Sequence, residues 1–211
     1  YQDVVGDNEE RMTQMIRTAL DRSDLILLSG GLGPTEDDLT KEVVCKVMGE
    51  PLVEDPHTKA RIQSYMESHL KSNPDSAITA NNWKQALVPE NGTVLDNDNG
   101  TAPGLIIEKN GKIAVLLPGP PIEMKPLFEE YVIPYLRGRQ EDVLYSHMIK
   151  ICGIGESAVE TEILDLIDAQ TNPTLATYAK TGEVHLRVTA KAKNEEEALR
   201  LMAPVEEELK K

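Results

Sequence analysis

Leu25-Ile-Leu-Leu-Ser-Gly-Gly-Leu-Gly-Pro-Thr-Glu-Asp-Asp-Leu-Thr40 runs from an apolar strand through a glycine turn into a helix start. Leu25 to Leu28 are apolar without alternation, the pattern of a strand covered on both faces. Gly30, Gly31 and Gly33 then let the backbone turn tightly and approach a ligand. Thr35, with Asp38 three residues on, forms an acidic variant of a capping box and predicts the helix start. A helix start offers free N–H groups and the positive end of a dipole, which suits a phosphate-bearing ligand. Asp37 and Asp38 would repel a bare phosphate. Either they complement the helix dipole, or a divalent cation or a donor-rich ring sits between them and the ligand.

Upstream, Asp7-Asn-Glu-Glu10 is a capping pattern, and Met12, Met15, Ile16 and Leu20 repeat at helical spacing to about Asp21. Downstream, helices are expected from about Asp38 to Met48 and from about Asp55 to Lys71. The turn Ser72-Asn-Pro-Asp-Ser76 leads to the polar stretch Asn81-Asn-Trp-Lys-Gln-Ala86. Strands follow at Thr93–Leu95, Gly104–Glu108 and Lys112–Leu117, with a hairpin at Asn110-Gly111, so part of the sheet is antiparallel. Pro118-Gly-Pro-Pro121 then precedes a helix from Glu123 to about Tyr135, a second strand, turn and helix junction. Alternating strands and helices predict an α/β layer fold with a largely parallel sheet. Ligands in such sheets bind beyond the carboxyl ends of the strands, so the two turns are expected to flank one cleft. In the second turn Gly119 permits close approach, Pro120 and its neighbouring prolines stiffen the loop, and Glu123 is placed to cap the helix or to reach a metal.

The polar segment Leu136–Asp142 marks a domain boundary. Beyond it the chain reads strand 143–151, helix 156–168, strand 174–179, a Thr181-Gly182 turn, strand 183–191 and helix 194–209, a small α+β sandwich. Gly153-Ile-Gly155-Glu-Ser157 opens the first of these helices and reads as capping more than as an anion site, because Glu156 lies in the turn.

Charge bounds the partners. Asp and Glu number 36 against 22 Lys and Arg, a formal net charge of −14, and no run of basic residues offsets it. Nucleic acid and anionic membrane surfaces are therefore not expected as main partners. Cys45 and Cys152 lie far apart, which suits reduced, buried thiols and no disulfide framework. The four histidines lack metal-ligand spacing and read as surface or satisfied residues. No apolar run reaches membrane-span length and no signal-peptide pattern is present, so a cytoplasmic location is expected. Tyr1-Gln-Asp-Val-Val-Gly-Asp-Asn8 reads as the end of a strand entering a helix, so the chain is expected to begin inside a domain.

The combination resembles the N-terminal half of the CinA family of competence/damage-inducible proteins. It is carried by Val5-Gly-Asp-Asn8, Ser29-Gly-Gly-Leu-Gly-Pro-Thr-Glu-Asp-Asp-Leu-Thr-Lys41, Asn81-Asn-Trp-Lys-Gln-Ala86, Gly100-Thr-Ala-Pro-Gly104 and Leu117-Pro-Gly-Pro-Pro-Ile-Glu-Met-Lys125. Gly153-Ile-Gly-Glu-Ser157 and Tyr178-Ala-Lys-Thr-Gly-Glu-Val184 match the family's second domain. The resemblance implies a three-layer α/β domain over residues 1–138, similar to molybdopterin-binding (MogA/MoeA-like) domains with a mixed, mostly parallel sheet. A KH-like α+β domain over 139–211 is implied to follow.

For the first domain the resemblance implies an enzyme dependent on a divalent metal ion (Mg, Mn or Co) that splits ADP-ribose into AMP and ribose 5-phosphate, in pyridine-nucleotide recycling. On that reading Asp37 and Asp38 hold the metal or activate water, with Glu123 a third metal candidate, and Lys84 offsets charge on the leaving phosphate. The Gly30, Gly31, Gly33 and Thr35 turn cradles phosphate, Asn82 and Gln85 read the ribose or base, and Gly104, Gly119 and Pro120 line the backbone approach. The alternatives are a pterin- or nucleotide-binding module without turnover and an assembly protein with a vestigial cleft. Family members open with a strand and a Gly-Thr-Glu motif, and often carry a C-terminal deamidase domain; neither is found in these 211 residues, so no deamidase activity is expected of them. The KH-like domain lacks the basic Gly-x-x-Gly loop of nucleic-acid binders and is expected to serve as a dimerisation or scaffold module, giving a homodimer.

Overall fold

Asn8 caps the first helix as its pattern predicts: its side chain accepts the Arg11 N–H at 3.0 Å, and α1 spans Glu9–Arg22. The computed structural model describes residues 1–72 and 78–210, so the turn expected at 72–76 lies largely outside the described residues. The chain forms two compact units, Tyr1–Arg137 and Gly138–Lys211.

In the first unit, β1 (Leu25–Ser29), α2 (Thr40–Met48), β2 (Leu52–Glu54) and α3 (Pro56–Ser72) precede a 3-10 helix at Ala80–Ala86. Then come β3 (Leu87–Pro89), β4 (Thr93–Leu95), β5 (Gly104–Lys109), β6 (Lys112–Leu117), α4 (Pro121–Leu127), a π-helical turn at Phe128–Val132 and α5 (Ile133–Arg137). The main sheet is mixed, in the order β1-β6-β5-β4: β1 pairs parallel with β6, and the other two pairs are antiparallel. Asn110 (φ 53°) and Gly111 (φ 74°) both adopt the left-handed conformation a two-residue β5–β6 hairpin requires. One sheet face packs on α1 and α2 through Met12, Ile16, Val44 and Leu116, and the other on α4 and the π turn through Val115, Leu117, Leu127 and Val132. These are the three layers expected.

Leu116 is fully buried in the central strand. Leu116→Ala is expected to cost about 2–5 kcal/mol, seen as a lower urea midpoint at unchanged m-value.

Several sequence expectations are corrected. β1 is not covered on both faces: Ile26 and Leu28 face the α1/α2 core, but Leu27 is 52% exposed. The layer of α4 and the π turn covers Leu25 and β6 without including Leu27. The helix after the glycine turn, expected from about Asp38, begins at Thr40, and its N-cap position is Leu39 and not Thr35. The short antiparallel pair β2–β3, with Val53 opposite Val88, was not anticipated. The helix expected from Glu123 is interrupted: Ile133 N–H donates five residues back to Phe128, just before Pro134, which has no N–H to continue the regular ladder.

The second unit holds β7 (Val143–Cys152), α6 (Glu156–Glu162), α7 (Leu164–Ala169), β8 (Thr174–Lys180), β9 (Glu183–Ala192) and α8 (Glu195–Glu208). Its sheet is antiparallel in the order β7-β9-β8, with Leu186, Val188 and Ala190 packed against Ala198 and Met202 of α8. The single helix expected at 156–168 is two, because the backbone leaves helical geometry at Ile163 (φ −107°, ψ 13°). That break leaves Val159 buried and Ile163, Leu166 and Ile167 against the sheet core.

Candidate functional site

The parallel pairing of β1 with β6 brings their carboxyl ends side by side, and with them the two turns. Gly30 N–H donates to the Leu117 carbonyl at 2.9 Å, and Ser29 Oγ lies 3.5 Å from Met124 Sδ. A Cβ on Gly119 would stand 3.5 Å from Gly30 Cα, so the two turns touch through backbone. Gly30 (φ 93°) and Gly31 (φ 68°) occupy the left-handed region that favours glycine. Gly31 has a second constraint: a Cβ there would overlap Thr40 Oγ1, and Thr40 N–H donates to the Gly31 carbonyl at 3.1 Å. The turn is thereby fastened to the first residue of α2.

Thr35 and Asp38 close a turn of their own. Asp38 Oδ2 accepts from the Thr35 N–H at 3.0 Å and from its hydroxyl at 2.5 Å, and a Cβ on Gly33 would collide with the same carboxylate. Asp38 is thus the acceptor that shapes the loop, which explains why the helix waits until Thr40. Burial pushes the Asp38 carboxyl up, but hydrogen bonds from Thr35 and Gly33 and the nearby Lys84 charge outweigh it and hold the group below the ordinary carboxylate range. A depressed folded-state value contributes stability above the unfolded-state pKa of about 3.9 and loses it as pH falls through the lower folded value. Acid titration followed by NMR of the Thr35 amide is expected to show the turn intact at pH 5 and opening only below about pH 3.9.

Lys84 and Gln85, on the 3-10 helix, reach across to this loop. Lys84 Nζ donates to the carbonyls of Thr35 at 2.8 Å and Asp38 at 2.5 Å, and Gln85 Nε2 donates to Leu32 O at 3.3 Å. Both are struts of the turn. Asn82 Oδ1 accepts the Thr79 N–H at 2.9 Å and the Thr79 hydroxyl at 3.0 Å, so it caps its own helix.

Beneath them lies a charged group the sequence reading passed over. Lys41 is only 4% exposed and donates to the Lys84 carbonyl at 2.6 Å; Glu42 Oε1 lies 4.0 Å from both Lys41 Nζ and Lys84 Nζ. Both Glu42 oxygens and Gln85 Oε1 are buried without a hydrogen-bond partner. Burial pushes the Lys41 ammonium below the ordinary lysine value, and Glu42 partly offsets that. The signal was available: Lys41 falls on the apolar face with Val44, Cys45 and Met48, at helical spacing.

Glu123 Oε2 accepts from Asn97 Nδ2 at 2.7 Å, and a Cβ on Gly100 would overlap its carboxylate. It braces the 97–104 loop against the second turn. Gly104 begins β5 pressed on Leu95, 3.2 Å from where its Cβ would be, and Pro120 caps α4 in extended geometry. Asp37 is exposed. Among the described residues no three His, Cys, Asp or Glu side chains are gathered to hold a metal, so Asp37, Asp38 and Glu123 do not form a closed ligand set. An ion held by one or two of these carboxylates would need its remaining oxygen ligands from outside the chain. His57, His147 and His185 lie against Asp96, Glu206 and Glu183, as satisfied residues do. Cys45 is buried, its thiol pushed up to about 11 chiefly by burial, while Cys152 is exposed, against the expectation that both thiols are buried. No helix among the described residues is long and apolar enough to cross a membrane.

Comparison with known proteins matches residues 1–138 to a family described as "Probable molybdopterin binding domain" and residues 146–211 to "Damage-inducible protein CinA KH domain". The chain is 53% identical over 210 residues to a competence-damage inducible protein of Clostridium beijerinckii and 46% identical over 211 residues to a CinA-like protein of Dictyoglomus turgidum. Each alignment covers 100% of this chain and 50% of the relative, so the chain spans about half the length of these curated relatives. A solved structure of the protein CinA from Thermoplasma acidophilum, of unknown function, superposes with a TM-score of 0.51 at 35% identity, covering 61% of this chain and 72% of that one. Two family models matched in order, long relatives and a solved structure agree that the chain belongs to the CinA family.

Proposed function

We propose that the first unit hydrolyses the pyrophosphate of ADP-ribose to AMP and ribose 5-phosphate. The observation that carries this is the meeting of two glycine turns at the carboxyl ends of β1 and β6, where backbone instead of side chains faces an approaching ligand. Turn amides other than those of Gly30, Gly33 and Thr35, which are already committed within the protein, suit charge developing on phosphoryl oxygens. Asp37, with the remaining acceptor capacity of Asp38, would hold a divalent cation together with substrate oxygens, which supplies charge neutralisation and an activated water. Water adds to one phosphorus, the bond to the bridging oxygen breaks, and each product keeps one phosphate; the released proton goes to solvent. Lys84 acts from behind the turn, holding two carbonyls inward so that the loop keeps one shape.

A second reading, a pterin- or nucleotide-binding module without turnover, is favoured by the absence of a closed carboxylate set among the described residues. Incubation with ADP-ribose and Mg, Mn or Co, followed by quantification of AMP, separates the two. Metal-dependent AMP release that disappears in Asp37→Asn supports hydrolysis. Ligand-dependent thermal stabilisation with no AMP at any metal supports the binding module and removes the hydrolase. The second unit is proposed as a dimerisation module, checked by sedimentation of the chain with and without residues 138–211.

A further inference from the structure

A cavity of about 240 Å³ opens between α3 and residues 96–103. It shares Asn97 and Gly100 with the brace that holds Glu123, so it adjoins the second turn within the same unit. Its walls differ in chemistry from the glycine turns. From α3 come Arg61, Ser64, Tyr65 and Ser68, and from the loop come Asp96 and Asp98.

The two acids are held in place. Arg61 Nε lies 3.4 Å from Asp96 Oδ1 and Arg61 Nη2 lies 2.5 Å from Asp98 Oδ1, while His57 Nε2 lies 3.0 Å from Asp96 Oδ2. Tyr65 OH donates to the Asn99 carbonyl at 3.3 Å and ties the loop to the helix. A carboxylate offers about four acceptor positions, so both acids keep capacity for further donors after these contacts. With His57 neutral, two carboxylates against one guanidinium leave this group with a net negative charge, which disfavours phosphate and favours neutral groups rich in O–H donors. At the glycine turns, backbone amides together with a cation held by Asp37 and Asp38 would accept phosphate instead. A substrate that is phosphate in the middle and sugar at its ends would be sorted by these two surfaces.

We propose that this cavity receives a ribosyl group of the substrate, its vicinal diol donating to Asp96 and Asp98, while the phosphates stay at the glycine turns. This rests on the pyrophosphatase reading for the identity of the substrate. The test measures binding and not turnover. Ribose 5-phosphate and 2-deoxyribose 5-phosphate are titrated into the 211-residue chain by ligand-observed NMR, with AMP and 2′-deoxy-AMP as a second pair. Diol binding by a carboxylate predicts a preference of about 10-fold or more for the hydroxylated member of one pair. Preference in the first pair assigns the cavity to the terminal ribose, and in the second to the ribose of adenosine. Asp96→Asn and Asp98→Asn are each expected to erase most of that preference while the thermal midpoint falls little, since the ion pairs they weaken are partly or largely solvent-exposed. Equal binding within both pairs, no binding by either pair, or a preference unchanged in Asp96→Asn overturns the proposal. Diol preference without AMP release from ADP-ribose would keep the sugar cavity and remove the hydrolase; hydrolysis without diol preference would do the opposite.

Discussion

Gly31→Val is expected to lower the stability of the first unit by roughly 3 kcal/mol, combining left-handed strain and overpacking. The new Cβ would overlap Thr40 Oγ1 and stand 3.0 Å from Thr40 Cβ and 3.3 Å from Thr40 N, and Thr40 is buried at the start of α2. Backbone strain adds to the collision because φ is 68°. In thermal unfolding the midpoint should fall by about 10 °C. Gly30→Val separates the two causes: φ is 93° there too, but nothing lies within 4 Å of the added Cβ, so only the strain remains. Equal losses at the two positions would show that the Thr40 contact contributes nothing.

Lys84→Met should lose both shape and activity. The ammonium satisfies two carbonyls of the loop and is one of two cations flanking the buried Glu42 carboxylate. Hydrogen bonds from a charged donor contribute about 1.5–3 kcal/mol, so a stability loss of that order is expected. On the proposed activity, hydrolysis of ADP-ribose should fall by about 100-fold, because a loop shifted by an ångström misplaces its amides. The two effects are linked in this account. If Lys84 instead contacted the leaving phosphate, turnover would fall while the thermal midpoint stayed put. Pairing the change with Glu42→Gln should recover part of the stability by removing the stranded carboxylate, which a phosphate-binding lysine would not predict.

Legibility followed the range of each cause. Asn110-Gly111 and the Asn8 cap were readable because their geometry is set within two to four residues of chain. The touching of the two turns was readable at one remove, since parallel strands bring their carboxyl ends together. Lys84 was placed near the chemistry, but its hold on Thr35 and Asp38 spans 49 and 46 residues and left no local trace. The cap of α2 was misassigned for the opposite reason: the Thr35–Asp38 pattern is real, yet it closes a separate turn just before the helix. Leu52-Val-Glu54 was too short to stand out as a strand without its partner at Leu87–Pro89. For the 96–103 cavity, the Gly100–Gly104 motif marks one wall, but nothing local joins it to α3 some thirty residues earlier.

The contrast between the two cysteines provides a clock for internal motion. Cys152 meets solvent, whereas Cys45 is enclosed on α2, its thiolate disfavoured at neutral pH. A thiol reagent should therefore modify the chain in two phases, the first immediate and the second timed by how often α2 lifts from the sheet. Because α2 begins where the glycine loop is fastened, the slow phase reports breathing of the candidate site without ligand, label or added tryptophan. A substrate that settles against that loop should stretch the slow phase, giving a readout of occupancy independent of any product formed.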